Sequence, residues 1–223
     1  MMTKPTPGAA RANGVTTALE PIALPNLSIG NFASVLRMVQ KVGGSARLVE
    51  SAVDISNARK IILAGVGAFD NGMASLRDGG WIDALHEAVL GRHVPVLGIC
   101  LGMQLMCKTS EEGRFSGLGW IDGEVKRFDA AGDVHLKVPH MGWNTVTVVK
   151  ANPLIASDRS ERRFYFVHSY YATCHDAADV LATAHYGCDF TAALSHGNIF
   201  GVQFHPEKSH RFGMTLMKNF LAL

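Results

Sequence analysis

Three nearly uninterrupted apolar runs limit this chain's fold more than any other feature: Lys60 to Ala64 (KIILA), Pro95 to Ile99 (PVLGI) and Ile199 to Phe204 (IFGVQF). Each has strand length and lacks the polar–apolar alternation of a half-exposed strand. Each must therefore be covered on both faces, as strands are in a parallel sheet flanked by helices. Helical spacing fits that reading. Phe32, Val35, Leu36 and Val39 recur at three-to-four-residue intervals within Asn31 to Gly43, the period returns from Met73 to Val89, and a helical stretch follows Ile99 through Met106. Ala46 to Val49 reads as a further short strand. Alternating strands and helices imply βαβ units, whose ligands gather at the carboxyl ends of the strands.

The second half changes character. Val125 to Phe128, Thr145 to Val149, Phe164 to His168 and Leu181 to His185 are rich in β-branched and aromatic residues and are joined by Gly, Asn and Asp turns. Thr215 to Leu221 closes the chain as an amphipathic helix. The expected fold is α/β, with a central, mostly parallel sheet flanked by helices and an antiparallel extension. Residues 1–20 combine Pro, Thr, Gly and Ala without periodicity and lack the apolar centre of a secretory signal, so they read as a flexible tail before a single domain over residues 21–223.

Composition narrows the function classes. The net charge is +2, with no dense Lys/Arg run and no aromatic interleaving, which argues against a nucleic-acid surface. The longest apolar stretch, Val94 to Cys107, is broken by Pro95 and two glycines and falls short of the roughly 20 residues a membrane span needs. The four cysteines, Cys100, Cys107, Cys174 and Cys188, lack zinc-site pairing and are too sparse for a disulfide framework. A reducing, cytoplasmic setting without metal or cofactor fits these features.

The sharpest chemical signal is Gly98-Ile99-Cys100-Leu101-Gly102, a G-x-C-x-G sequence at a strand-to-helix junction. It is the thiol counterpart of a nucleophile elbow, whose glycines permit a tight turn that lifts the nucleophile above the sheet. The helix after it favours a thiolate through its dipole and, at Leu101, offers an amide to a developing oxyanion. The bland alternative is a small buried cysteine. His205-Pro206-Glu207 supplies a base and an acid to orient it, just past a buried strand that delivers them to the same sheet edge. Gly65-Val66-Gly67 is either a second source of oxyanion donors or a structural turn. A dinucleotide fingerprint would need glycine where Asp70 stands.

These segments resemble the class I glutamine amidotransferases, and within them the glutaminase subunits of imidazole glycerol phosphate synthase, over about Ile22 to Leu223. GICLGMQ (Gly98 to Gln104) and HPEKS (His205 to Ser209) look like the class pattern. GVGAF (Gly65 to Phe69), PHMGWN (Pro139 to Asn144) and FYFVHSYY (Phe164 to Tyr171) look specific to that subunit. The resemblance implies a flavodoxin-like fold and a thioester mechanism in which Cys100 attacks the glutamine amide, His205 shuttles protons and Glu207 orients His205. It further implies that Gln104, Glu112 and the His168-Ser169-Tyr170 backbone hold glutamine. The implied partner is a (β/α)8-barrel cyclase, bound as a heterodimer and faced by segments carrying His140, Met141, Gly142, Trp143, Asn144, Tyr165 and Lys208.

Two positions depart from the family pattern. The first strand normally ends in Asp-Tyr-Gly-Met-Gly-Asn, whereas Pro25 here precedes Asn26-Leu27-Ser28-Ile29-Gly30-Asn31. Proline lacks a ladder N–H, so that strand is expected to be short or displaced. Ala64 stands where proline usually precedes Gly-Val-Gly. These departures keep open a paralogue serving a related synthase of surface-sugar biosynthesis. Two other readings are an esterase-like cysteine hydrolase, disfavoured because Glu207 follows His205 at once, and an inactive module retained only to stabilise its partner.

Overall fold

The computed structural model describes residues 21–129, 136–156 and 160–223; the expected tail lies outside them. The first half forms β1 (Ile22–Pro25), α1 (Phe32–Lys41), β2 (Ala46–Val49), β3 (Ile61–Gly65), α2 (Phe69–Asp78), α3 (Trp81–His86), β4 (Val96–Cys100) and α4 (Leu101–Gln104). The second half forms β5 (Thr109–Ser110), β6 (Gly123–Arg127), β7 (His140–Thr145), β8 (Thr147–Val148), β9 (Arg163–His168), β10 (Tyr170–Cys174), β11 (Val180–Tyr186), β12 (Cys188–His196), β13 (Ile199–Val202) and α5 (His210–Ala222).

One eight-stranded sheet carries the architecture, in the order β2-β1-β3-β4-β13-β12-β11-β8. The strands from β2 to β13 pair in parallel, whereas β12, β11 and β8 continue the sheet antiparallel. The apolar runs explain the centre: β1, β3, β4 and β13 are buried at every position, because helices cover both faces. Pro25 occupies the last position of a four-residue β1, where the missing N–H breaks no internal ladder, and Asn26 N–H takes up the next bond, to the Val49 carbonyl, at 2.9 Å. The first strand is thus short, but it sits inside the sheet between β2 and β3.

Several expectations are corrected. The periodic stretch from Met73 to Val89 is broken between α2 and α3, because Gly80 takes φ +65° and α3 restarts on buried Trp81, and it runs out in a π-helical turn over Glu87–Gly91. The helix expected through Met106 ends at Gln104 and unwinds through tighter turns, Met106 N–H to Met103 O and Cys107 N–H to Gln104 O. The antiparallel extension is divided among the main sheet, a mixed three-stranded sheet (β10-β6-β5) in which β5 and β6 are parallel, and an antiparallel ribbon of β7 with β9. The strand β12, one of the longest described, was not anticipated. Its run CDFTAALSH has no clean alternation, because both faces of its second half are buried.

Candidate active site

Cys100 ends β4 and caps α4 at φ +53°, a conformation that non-glycine residues rarely hold. The flanking glycines make it attainable. A Cβ on Gly102 would stand 1.7 Å from the Leu63 carbonyl oxygen, and one on Gly98 would stand 2.7 Å from the Met103 nitrogen. Helix α4 therefore begins directly against β3, and the thiol is set at the carboxyl edge of the sheet.

His205 reaches that same edge because β13 lies beside β4 in parallel, with Val202 opposite Ile99. It is extended, as a residue before proline must be, and Pro206–Lys208 then form one 3-10 turn that folds Glu207 back under the ring. Glu207 Oε1 lies 2.8 Å from His205 Nδ1. Ser209 fixes the turn: its hydroxyl donates to the His205 carbonyl at 2.6 Å and accepts from Tyr165 N–H at 3.0 Å, while His205 N–H donates to the Tyr165 carbonyl. Burial works against the imidazolium, but the Cys100 sulfur and the Glu207 carboxylate outweigh it and raise the His205 pKa to about 9. With Nδ1 committed to Glu207, Nε2 is buried without a hydrogen-bond partner of its own, and the Cys100 sulfur is the acidic neighbour whose charge it feels.

Behind the thiol runs a buried chain of hydrogen bonds. Gln203 Nε2 donates to Cys100 Sγ at 3.6 Å, and Gln203 Oε1 accepts from Gln104 Nε2 at 3.1 Å. Gln104 Nε2 also donates to the Tyr170 carbonyl at 2.9 Å. That carbonyl accepts a second bond, from His168 Nδ1 at 2.8 Å, which leaves His168 Nε2 to accept from His140 Nδ1 at 3.2 Å. His140 Nε2 in turn faces Asn144 Nδ2 at 3.3 Å. Because a carbonyl only accepts, every donor in this chain has its direction assigned. Burial holds both imidazoles neutral, lowering His140 to about 4 and His168 to about 3.

A cleft of about 470 Å³ is lined by Val66, Gly67, Cys100, Gln104, Glu112, residues 168–170, His205 and Lys208. Glu112 is half-buried, with Oε2 accepting from Phe69 N–H at 2.9 Å at the start of α2; burial raises its pKa. Gln104 is buried rather than solvated. Of the glycine-loop amides, Val66 N–H already donates to the Ile29 carbonyl at 2.7 Å, whereas Leu101 opens α4, where amides have no intrahelical partner. The residues expected at a partner surface divide. Met141 and Trp143 are 63% and 39% exposed, Trp143 stacks on His210, Lys208 lies 5.7 Å over the Tyr165 ring, and Gly142 and Asn144 are half-exposed. His140, by contrast, is buried against Phe166 and Tyr186, so its side chain offers nothing to another chain. Sequence reasoning missed Gln203 and Ser209; their nearness to the His205 turn was the only signal for either.

The arrangement suits acyl transfer: a thiol and an imidazole with a free Nε2 lining one cleft, an orienting carboxylate on Nδ1, and an amide at the start of α4. Comparison with known proteins agrees. The family Glutamine amidotransferase class-I matches residues 28–223. The imidazole glycerol phosphate synthase subunit HisH 2 of Pseudomonas aeruginosa is 50% identical over 202 residues, covering 91% of this chain and 99% of that protein. The protein of the same description from Methanococcus maripaludis is 47% identical, with 90% and 98% covered. Among solved structures, PurLQS from Thermotoga maritima superposes with a TM-score of 0.70 at 17% identity, over 91% of this chain and 98% of that one. The glutaminase domain of Trypanosoma brucei CTPS superposes with a TM-score of 0.64 at 15% identity, over 91% and 92%. At these identities and over nearly its whole described length, the chain belongs to the class I glutamine amidotransferases and, within them, to the HisH subunits of imidazole glycerol phosphate synthase.

Proposed function

We propose that residues 21–223 act as one glutaminase domain that hydrolyses glutamine to glutamate and ammonia and passes the ammonia to a (β/α)8-barrel cyclase making imidazole glycerol phosphate and AICAR in histidine biosynthesis. The observation that carries this reading is that Cys100 and His205 line one cleft while Glu207 holds His205 Nδ1 from outside it. The Cys100 thiolate adds to the side-chain amide carbon of glutamine, and the negative charge moves to the amide oxygen, met by the Leu101 amide. The amides of the 65–67 loop join it once Val66 releases Ile29. Imidazolium Nε2 gives its proton to the departing nitrogen, the C–N bond breaks, and ammonia leaves a glutamyl thioester. Neutral His205 then takes a proton from water, whose oxygen attacks the thioester, and the sulfur leaves as thiolate while glutamate is freed. Glu207 keeps Nε2 aimed at the sulfur throughout. Gln104 and Glu112 line the cleft where the substrate's amino and carboxyl groups would lie, with the 168–170 backbone opposite.

A second reading, a paralogue serving a related synthase in surface-sugar biosynthesis, rests on the departures from the family pattern at Pro25 and Ala64. The mechanism at Cys100 is the same in both. Cys100→Ala is expected to reduce glutamine-dependent synthesis by at least about 10⁴-fold, the scale on which losing a nucleophile acts. Ammonia-dependent synthesis by the complex is expected to persist. Steady-state assays with each nitrogen source check this, and equal loss of both would contradict the division of labour.

A further inference from the structure

The Gln203 carboxamide has no part in the thioester steps above, yet it is fully buried and touches the nucleophile. Its place is set by the sheet. β13 runs parallel beside β4, so the residue after Val202 comes level with Cys100, and Gln203 N–H is held to the Ala192 carbonyl of β12 at 2.9 Å. Its orientation is set by a neighbour. Tyr170 presents only a carbonyl, so the Gln104 atom facing it must be the nitrogen; that nitrogen's second proton points at Gln203, which must answer with oxygen. Turning Gln203 over would oppose two N–H groups on one side and a carbonyl oxygen and the sulfur on the other. The amide nitrogen is thereby committed to the sulfur, independent of how an isolated amide might be assigned.

We propose that Gln203 is a positioning residue for the nucleophile: its N–H donates to the Cys100 sulfur, favours the anion over the thiol, and ties that preference to Gln104, the side chain that lines the cleft. A hydrogen bond to a charged acceptor is worth appreciably more than one to a neutral group, so an N–H here discriminates between the two states of the sulfur. It does so from the buried interior, since Gln203 does not line the cleft. A substrate that turned or displaced Gln104 would release Gln203 and so reach the sulfur's electronic state without touching it.

The proposal rests on the thiolate mechanism above, and the test separates the two. The pH dependence of Cys100 alkylation by iodoacetamide is measured on the full chain by peptide mass, with Cys107, Cys174 and Cys188 as internal references. In the parent chain Cys100 should react fastest. Gln203→Met keeps length and volume but removes donor and acceptor, and is expected to move the Cys100 midpoint up by about one pH unit, a tenfold smaller reactive fraction below it. An unmoved midpoint in a folded Gln203→Met chain overturns the proposal alone. A parent chain in which Cys100 is no more reactive than Cys107 overturns the thiolate mechanism as well. Should the variant not fold, the unmutated chain still answers. The Gln203 side-chain N–H resonance is expected to titrate with the Cys100 midpoint and to stop titrating once Cys100 is alkylated, and a pH-independent resonance counts against the proposal.

Discussion

His205 and the pair His140–His168 are buried imidazoles with opposite electrostatic fates, and the difference lies in their partners. His205 has the Cys100 sulfur and a carboxylate beside it, so its charged form is favoured; the other two are desolvated among each other, a carbonyl and aromatic rings, so theirs is excluded. The consequences for stability have opposite signs. Below the ordinary histidine value of about 6.5 the unfolded chain takes up protons that folded His140 and His168 refuse down to about 4 and 3, so stability falls as pH drops through that window. For His205, raised to about 9, the contribution is complete below about 6.5 and is lost as pH climbs through 9. Urea unfolding from pH 4 to 9 should therefore show two descending limbs, each proton contributing at most about 1.4 kcal/mol per pH unit. His140→Gln should flatten the acid limb and His205→Asn the alkaline one; limbs of parent steepness in both variants would refute these assignments. Cys100, His205 and Glu207 were legible as residues because each stands in a short motif whose spacing is dictated by chemistry. Gln203 and the inward turn of His140 were not, because their partners lie 103 and 28 positions away, and of the two bonds of Ser209 the one to Tyr165 spans 44.

At the scale of elements, the strand-to-helix junction holding Cys100 depends on how closely α4 can approach β3. The first turn of α4 is pressed onto the Leu63 carbonyl, and any side chain at residue 102 must separate them. Gly102→Ala is expected to lower stability by about 3 kcal/mol, the upper range for overpacking, and to abolish glutamine turnover through displacement of the elbow. Urea denaturation beside an activity assay checks both, and near-parent values in each would show that the junction yields more readily than its geometry implies. The elements themselves were read well where burial was uniform: β3, β4 and β13 announce themselves as apolar runs. Reading was poorer where two neighbouring glycines cut a periodic stretch into α2 and α3, and where β7, β10 and β12 carry mixed patterns because they are covered unevenly.

For the whole molecule, the decisive fact is that β4 and β13, nearly a hundred residues apart in sequence, are parallel neighbours. Both chemical motifs leave the sheet at one edge, and the cleft, the Tyr170 carbonyl and the exposed pair Met141 and Trp143 assemble around it. Apolar side chains left in solvent beside a cleft suit a docking face for the proposed cyclase. Trp143→Ala should lower the stability of the isolated chain by about 1 kcal/mol, the scale of its lost stacking on His210, and weaken cyclase binding by at least about a hundredfold, about 2.7 kcal/mol. Calorimetric titration decides between this and a purely structural tryptophan, for which the two effects would be reversed in size. By itself the sequence determined which segments must be buried strands, where the elbow and the histidine turn lie, and what reaction those residue types suit, since hydrophobic period, glycine placement and motif spacing are local properties of a chain. Only the tertiary structure decided strand order, the split of the antiparallel half into three sheets, and the hydrogen-bond chain from Asn144 to the Cys100 sulfur. Those depend on distant segments meeting in space, where buried polar groups must find partners that no local pattern names.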